Sequence, residues 1–493
     1  MNTHIPTEKD MYIEELKRRF NQSPDLICKE IQIRHQTIVI HFVNYQVRKD
    51  LVERDLLYPL TGRNRTWSLE ELKNKIPLAS SKGTDSMEKI TKELIHGSVS
   101  VYLEGEQEVV LFALPNQEHR ALNRAETESL VFGPQIAFTE SLMTNLNVVR
   151  WRLDTDDLVV EKVIVGERIK SEARLIYLKS LANDTNVQTM RQRMEDLEVD
   201  EVEDTSVLAQ LIEDSSSTVF PQLITTELPD RFCNSISKGR VGVLLDKSPT
   251  SLIGPMSLFN FFESTEDLYM RWNMGTFIRI LRLFAMVLSI ILTPLYVAAL
   301  TYHYEIIPSS LLISLGQSRA TVPFPPVIEA LLLEMLIEFL REAGARLPTK
   351  VGQTMGIVGG IVLGQAAVKA GFTSNILIII IALSALASFT APSYSMGSAI
   401  RIIRFPVIIL AGAWGLIGIV FAMCFLVLHL LKLQSLGRPY LAPVYPLEWK
   451  DFNDTIFRTT PQRNDRRPNY IMTKDHFRFN EKKAKRHKDV DPS

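Results

Sequence analysis

Residues 323–348 read PFPPVIEALLLEMLIEFLREAGARLP, and the reading of this stretch decides the architecture of the whole chain. It is apolar enough to enter a membrane, yet it carries Glu329, Glu334, Glu338, Glu342, Arg341 and Arg346. Pro325 and Pro326 suit a helix start and Gly344, followed by Pro348, a stop, so the spacing predicts a helix over 325–343. At about 100° per residue, Glu334, Glu338 and Glu342 share one arc with Arg341 beside them. Leu332, Leu333, Leu336, Ile337, Phe339 and Leu340 cover the opposite side. The apolar residues contribute roughly −4 kcal/mol to insertion, whereas two carboxylates near the middle cost about 3 kcal/mol each. This helix therefore does not cross a bilayer alone. Two placements remain: flat in the interface with its acids toward water, or packed among other helices with its acids toward a polar cavity, a partner or an ion path. Glu338 lies three residues from Arg341, so local pairing is available.

Around this stretch the chain divides in two. The 493 residues carry a net charge of −1, which nominates no nucleic-acid or acidic partner. The balance hides a contrast: charges occur throughout the first 280 or so residues and become sparse from Leu283 to Leu431. A helix needs about 20 apolar residues to cross the ~30 Å hydrocarbon core. Spans are expected near 283–302, 351–370, 372–391 and 405–431. Arg271, Arg279 and Arg282 precede the first of these, and the tail from Lys432 holds 14 Lys/Arg against 8 Asp/Glu, which puts both ends on the cytoplasmic side. Arg401 and Arg404 fall on the other side in that count and weaken it. The N-terminal MNTHIPTEKDMYIEELKRRF is charged throughout and does not read as a signal peptide. Cys28, Cys233 and Cys424 form no CxxC or Cys/His cluster, so neither a disulfide framework nor a metal site is expected.

The first half reads as an α/β cytoplasmic region of two small units. IRHQTIVIHFV (33–43) suggests a strand, VRKDLVERDLLYPL a helix ended by Pro59, and SVSVYLEGEQEVVLFAL (98–114) two strands around a turn. A helix follows from about Thr139 to Arg152. The order then repeats: LVVEKVIVG (158–166) as a strand, SEARLIYLKSLAN (171–183) and SVLAQLIED (206–214) as helices, GRVGVLLDKSP (239–249) as a strand. The expected divisions are an N-terminal segment 1–20, a first subdomain 21–120, a connecting helix in 121–153 and a second subdomain 154–275. A polytopic α-helical membrane domain at 276–434 and a basic cytoplasmic tail at 435–493 follow. No phosphate-binding glycine motif sits at a strand-to-helix junction, and no catalytic residue, cofactor or metal is nominated.

Within the membrane half, GQTMGIVGGIVLG (352–364) places Gly352, Gly356, Gly360 and Gly364 four residues apart, a ridge that lets another backbone approach closely. The far face carries Thr354, Val358, Ile361, Gln365 and Lys369. Small polar groups at its ends with β-branched residues between suit a narrow pore; packing of two helices within one subunit, or a lipid-facing surface, accounts for part of the same pattern. APSYSMGS (391–398) breaks the run after 371, either as an unwound ion site or as a turn between helices. The tail, with EKKAKRHK near its end, reads as a solvated extension or one that touches anionic lipid or nucleic acid.

Across roughly 20–470 the chain resembles the A subunits of bacterial spore germinant receptors, the GerA family. REAG-x-RLP at 341–348 is the most specific stretch, and FGPQIAFTESLMTNLNVVRWRL (132–153) is similar to the family's GP-x-x-x-FTESL-x-TN segment. YLKSLAN, QLIED, FPQLITTELPD and GRVGVLLDKSP fall in the family's order. Two departures stand out: LVFGPQ lacks the family's Arg-rich approach to Gly-Pro, and Leu228 stands where an Arg commonly precedes Pro-Asp, so any contact made by those arginines is in question here. The resemblance implies thioredoxin-like subdomains, a multi-pass protein of the spore inner membrane, and a complex with a permease-like B subunit and a lipoprotein C subunit. It further implies a homo-oligomer acting as a ligand-gated ion channel that releases monovalent cations at germination. Glu334, Glu338, Glu342 and Arg341 would then serve coupling or a vestibule. A permease with its site at 391–398, a scaffold subunit and a related spore channel are the rival readings.

Overall fold

The computed structural model describes residues 4–62, 66–78, 80–116, 124–125, 128, 132–346, 364–460 and 466–478. Its first half is one plan used twice. Strands β1 (Leu26–Ile33), β2 (Gln36–Val43), β3 (Ser81–Thr84), β4 (Ser98–Leu103) and β5 (Val109–Ala113) form a sheet in the order β1-β2-β4-β5-β3. Strands β6 (Leu158–Val165), β7 (Ser171–Leu178), β8 (Ile224–Thr226), β9 (Val241–Leu245) and β10 (Ser251–Gly254) form a second sheet in the order β6-β7-β9-β10-β8, the same topology. Helices take corresponding places: α1 (Lys9–Arg19), α2 (Leu69–Lys75) and α3 (Met87–Ile95) around the first sheet, and α4 (Leu142–Arg152), α5 (Asp184–Glu195), α6 (Thr205–Ile212) and α7 (Pro229–Ser237) around the second. The expected repetition of two α/β units is present. Every strand pair is antiparallel, so no parallel βαβ crossover joins these strands.

Several local expectations change for physical reasons. The 33–43 run is split by Arg34, at φ +58, into the β1–β2 hairpin. Pro59 does not end its helix. The preceding turn widens to π geometry over Val52–Leu57, the usual way a helix accommodates a local disruption, and helix resumes through Tyr58–Gly62. SEARLIYL is strand β7, not helix: it pairs with β6 over its full length from Ser171 against Val165 to Leu178 against Leu158. Helix begins only after Asn183, whose side chain accepts from the Thr185 N–H. The short run of apolar residues fitted both periods, and cross-strand pairing decided between them.

The N-terminal segment set apart in the sequence contributes α1, which buries Tyr12 and Leu16 against the first sheet. Beneath it His41 is fully buried, edge-on to Tyr12 with ring centroids 5.5 Å apart, and neither ring nitrogen has a hydrogen-bond partner. Burial, with a smaller contribution from Lys17, pushes its pKa down to about 3.

The FTESLMTNLNVVRWRL segment joins the two units. Asn145, fully buried, accepts from the Thr139 N–H at 2.8 Å and donates to the Thr139 carbonyl at 2.6 Å, which fixes the approach to α4. Two residues on, Asn147 donates to the Tyr45 carbonyl at 2.6 Å, and Arg150 donates to the Leu158 carbonyl at 3.3 Å. Between the sheets Asp25 pairs with Arg174 at 3.1 Å and accepts from the Tyr45 hydroxyl at 3.2 Å. Burial raises the Asp25 pKa against the opposing pull of Arg174 and Arg150.

Beyond β10 come α8 (Trp272–Thr301), α9 (Ser309–Arg319), α10 (Pro326–Arg346), a short helix over Gly364–Lys369, α11 (Asn375–Ser388) and α12 (Tyr394–Lys432). Among the described residues, α8 and α12 are long and apolar enough to cross a membrane, and α11 is a shorter apolar helix. Between α11 and α12 the APSYSMGS break is an ordinary turn in which Ser393 caps the next helix. The expected span at 405–431 begins earlier, at Tyr394, so that Arg401 and Arg404 lie inside a helix rather than beyond its end.

Helix α12 is not one rod. Gly415 has φ +60 and ψ −138, and a Cβ placed on Gly418 would run into the Leu410 carbonyl. In a continuous helix those two residues stand about 12 Å apart along the axis. The chain therefore folds back at Gly415 into two arms, which face each other across an apolar groove lined by Val407 and Leu410 on one side and Phe421 and Leu426 on the other. The first arm runs along α8, meeting it through Arg404 and Ser289, and ends where the Tyr302 hydroxyl, just past that helix, donates to the Ala413 carbonyl at 2.8 Å. The second arm returns toward the α/β units, where Thr218 and His429 meet at 2.8 Å.

Candidate functional site

Helix α10, the stretch quoted at the outset, starts at Pro326 as expected but runs through Gly344 to Arg346. Its polarity is reversed relative to a helix of a water-soluble protein. Glu329 and Glu334 are each 1% exposed, while Ile328 is 44%, Leu332 50%, Met335 44% and Phe339 64% exposed. At helical spacing these four apolar residues form one stripe on the side away from the acids.

Each buried acid meets an arginine from another element. Glu334 accepts from Arg404 of α12 at 2.6 Å and from the Thr293 hydroxyl of α8 at 2.9 Å. Arg404, 2% exposed, also donates to Ser289 of α8. Glu329 lies 3.2 Å from Arg319 at the end of α9, and accepts from the Ser374 N–H at 2.6 Å and the Thr373 hydroxyl at 3.0 Å at the entry to α11. Glu338 pairs with Arg341 on its own helix and lies 3.7 Å from Arg401. These contacts tie α10 to four other helices. Removing one member of such a pair strands a buried charge and costs about 3–5 kcal/mol. Glu342 is different: exposed, it pairs with Arg346, one turn on.

The base of α8 holds a second cluster. Asp267, fully buried, accepts from Arg279 at 3.0 Å and from both terminal nitrogens of Arg282 at 2.9 Å. Arg279 and Arg282 were read from sequence as the positive flank of a span; their partner is a carboxylate 12 and 15 residues before them in the chain. The C-terminal segment straps across the same place. Arg458 donates to the Leu268 carbonyl at 2.7 Å, its carbonyl accepts from Thr276 at 2.9 Å, and the Thr455 carbonyl accepts from Arg279 at 3.3 Å. The strap also grips the second α/β unit. Tyr440 donates to the Pro221 carbonyl at 2.7 Å, Arg438 to Asn186 at 2.8 Å and Tyr470 to Asn260 at 2.6 Å. Residues 466–478 of the tail, read as part of a solvated extension, are thus packed in part, with Ile471 fully buried.

Among the sequence candidates, the structure brings Glu334, Glu338 and Arg341 into one column of charges and leaves Glu342 outside it. Gln365 and Lys369 lie exposed on the Gly364–Lys369 helix, one turn apart. Thr354, Val358 and Ile361, with Gly352, Gly356 and Gly360, lie outside the described residues; Gly364 begins the short helix, with open space where a Cβ would stand. Sequence reasoning missed Arg404, Arg401 and Arg319 as the partners. The signal was available: an arginine within an apolar run is costly unless paired, and the acids of α10 posed the complementary problem. Among the described residues no group of His, Cys, Asp and Glu could hold a metal ion. The three cysteines are free thiols.

The structure defines the class as an α/β region of two like units strapped to a helical part that buries Glu329, Glu334 and Arg404 and, among the described residues, holds two helices long and apolar enough to cross a membrane. The matching family model is described as Bacillus/Clostridium GerA spore germination protein and covers residues 14–470. The chain belongs to this family. It is 42% identical over 485 residues to Spore germination protein GerQA of Bacillus cereus, covering 98% of this chain and 97% of that one. It is 34% identical over 473 residues to Spore germination protein KA of Bacillus subtilis (strain 168), covering 94% and 87%. A crystal structure of the N-terminal domain of the A subunit of the Bacillus megaterium spore germinant receptor GerK3 covers 52% of this chain and 98% of that one, with 23% identity and a TM-score of 0.41, a likeness too slight to bear on the fold.

Proposed function

We propose that this chain is the A subunit of a nutrient germinant receptor, a multi-pass protein of the spore inner membrane with both termini toward the spore core. The observation that carries the membrane reading is the reversed polarity of α10. Burying Glu329 and Glu334 while exposing Leu332 and Phe339 is unfavourable in water and favourable where the surroundings are hydrocarbon. Family membership supports the role in germination. The fold-back at Gly415 gives two arms, each of a length that crosses a bilayer, and returns the chain to the side from which α8 departs.

The subunit acts with a permease-like B subunit and a lipoprotein C subunit, and several copies of it assemble into a ligand-gated channel for monovalent cations. Thr354, Val358, Ile361, Gln365 and Lys369 line the pore, and the glycine ridge at 352–364 packs the pore helix against its neighbour. Glu334 and Glu338, with Arg341 beside Glu338, couple α10 to α12, since the two carboxylates are engaged with Arg404, Arg401 and Arg341 rather than free to gather cations. Glu342, exposed, is the acid best placed for a vestibule. Reconstitution into planar bilayers, of the chain alone and with its co-purified partners, tests this reading. Nutrient-dependent monovalent-cation currents that change on Lys369→Gln are the expected result. A silent complex that still binds nutrient would reduce the chain to a scaffold.

A further inference from the structure

The strap between α12 and the base of α8 carries a surface that none of the foregoing uses. Over 443–449 it reads PVYPLEW, and its large side chains point away from the protein: Val444 is 42%, Tyr445 59%, Leu447 55% and Trp449 74% exposed. Four such residues within six positions are unusual on a water-facing loop, and clustered apolar exposure marks an interaction site. The loop is held firmly rather than dangling. Glu448 donates its N–H to the Pro443 carbonyl at 2.9 Å, and its carboxylate accepts from Asn469 at 3.2 Å. Trp449 stacks on Phe452 with centroids 5.6 Å apart, and three residues later the Thr455 carbonyl meets Arg279 in the second turn of α8.

That anchoring fixes the loop's height. A few residues on, the same strap meets α8 at Thr276 and Arg279, beside the turns where exposed Trp272, Met274 and Phe277 begin the apolar surface, which on the membrane reading is the level of the bilayer interface. Tyr and Trp, each with an apolar body and a polar handle, are the residues that favour this zone. Lys450, exposed next to the loop, and Arg271 at the start of α8 supply charge complementary to anionic headgroups.

We propose that Pro443–Trp449 is an interfacial anchor that inserts Val444, Tyr445, Leu447 and Trp449 among the headgroups of an anionic phospholipid surface. The inference rests on the membrane reading above. Its effect is to attach the strap, and through it the second α/β unit, to the bilayer surface as well as to the helices.

The test is site-directed spin labelling of the full chain reconstituted in phosphatidylglycerol-containing vesicles, with nitroxides at Tyr445→Cys, at Phe284→Cys on the exposed face of α8, and at Glu106→Cys on a distant loop of the first unit. The expected result is an oxygen-over-nickel accessibility ratio several-fold higher at 445 than at 106, lower than at 284, and reduced when Lys450→Glu is added. An aqueous ratio at 445 with a lipid-like ratio at 284 overturns the anchor while leaving the membrane reading standing. Aqueous ratios at both sites overturn the membrane reading itself. A label at 445 that is immobilised and shielded from both reagents means a protein covers the loop, a second copy or another subunit, and also overturns the anchor.

Discussion

The α/β units and the helical bundle bury ion pairs of the same chemistry for opposite reasons. In the first, Asp25 and Arg174 pair where the two units meet, beside an apolar cluster to which both units contribute. In the second, Glu334–Arg404, Glu329–Arg319 and Glu338–Arg401 run beside a small apolar core that includes Val297, Ala330 and Ile408, and large apolar residues such as Phe339, Ile417 and Phe425 face out. On the membrane reading proposed above, apolar contact cannot drive assembly because the surroundings are themselves apolar, so hydrogen-bonded charge and close backbone packing specify which helix faces which. The same pair in the soluble region fixes orientation between units that hydrophobic burial already holds together.

Mutations can break this contrast. The largest effect is expected from Arg404→Ala, which leaves Glu334 buried opposite no cation and costs about 3–5 kcal/mol. Loss of a monodisperse peak on gel filtration in mild detergent is the readout. The paired change Glu334→Met with Arg404→Met should recover most of the folded yield; failure to recover it would mean the charges do more than hold the helices. Next comes Gly415→Ala. At φ +60, ψ −138 any side chain is strained by about 1–3 kcal/mol, and here a Cβ would also meet His303. Faster proteolysis of the 394–432 segment checks it.

His41 sharpens the comparison from the soluble side. Its folded pKa of about 3 lies below the unfolded 6.5, so its stabilisation is complete above pH 6.5 and is lost as pH falls toward 3. At pH 5, about 1.5 units below the unfolded value, the loss is about 2 kcal/mol. Hydrogen exchange of the 9–19 and 36–43 peptides, corrected for intrinsic rates, should show it. His41→Leu should remove that pH dependence while leaving exchange in the helical bundle unchanged. The smallest effect belongs to Glu342→Gln, which loses an exposed pair one helical turn apart worth about 0.3–0.5 kcal/mol; the thermal transition should not move measurably.

The stretch at 323–348 announced its helix and the mixed character of its faces, but not which way those faces turn. The cost of lone insertion excluded one answer and left two. The choice between them lay in Arg404 and Arg319, which are distant in sequence and meet the acids only after the helices pack. The repeat in the first half was legible because strand and helix order recurred. SEARLIYL was misread because its burial is nearly continuous, which erases the alternation that marks a half-exposed strand. The reversal at Gly415 left only three glycines at three-residue intervals, Gly412, Gly415 and Gly418, in an apolar run, and small residues on one face serve ordinary helix packing as well. Of the proposed pore face, Gln365 and Lys369 are placed, one turn apart and exposed.

The fold-back in α12 has a mechanical consequence. Because the chain enters the bundle through α8 and leaves it through the returning arm, the second α/β unit is bonded to both limbs of a closed loop: at the Asp267 cluster on the way in, and at Tyr440 and Arg438 on the way out. A body held at one point can only tug. Held at two, it exerts a torque, and a small rotation of the α/β unit must pull one limb while pushing the other.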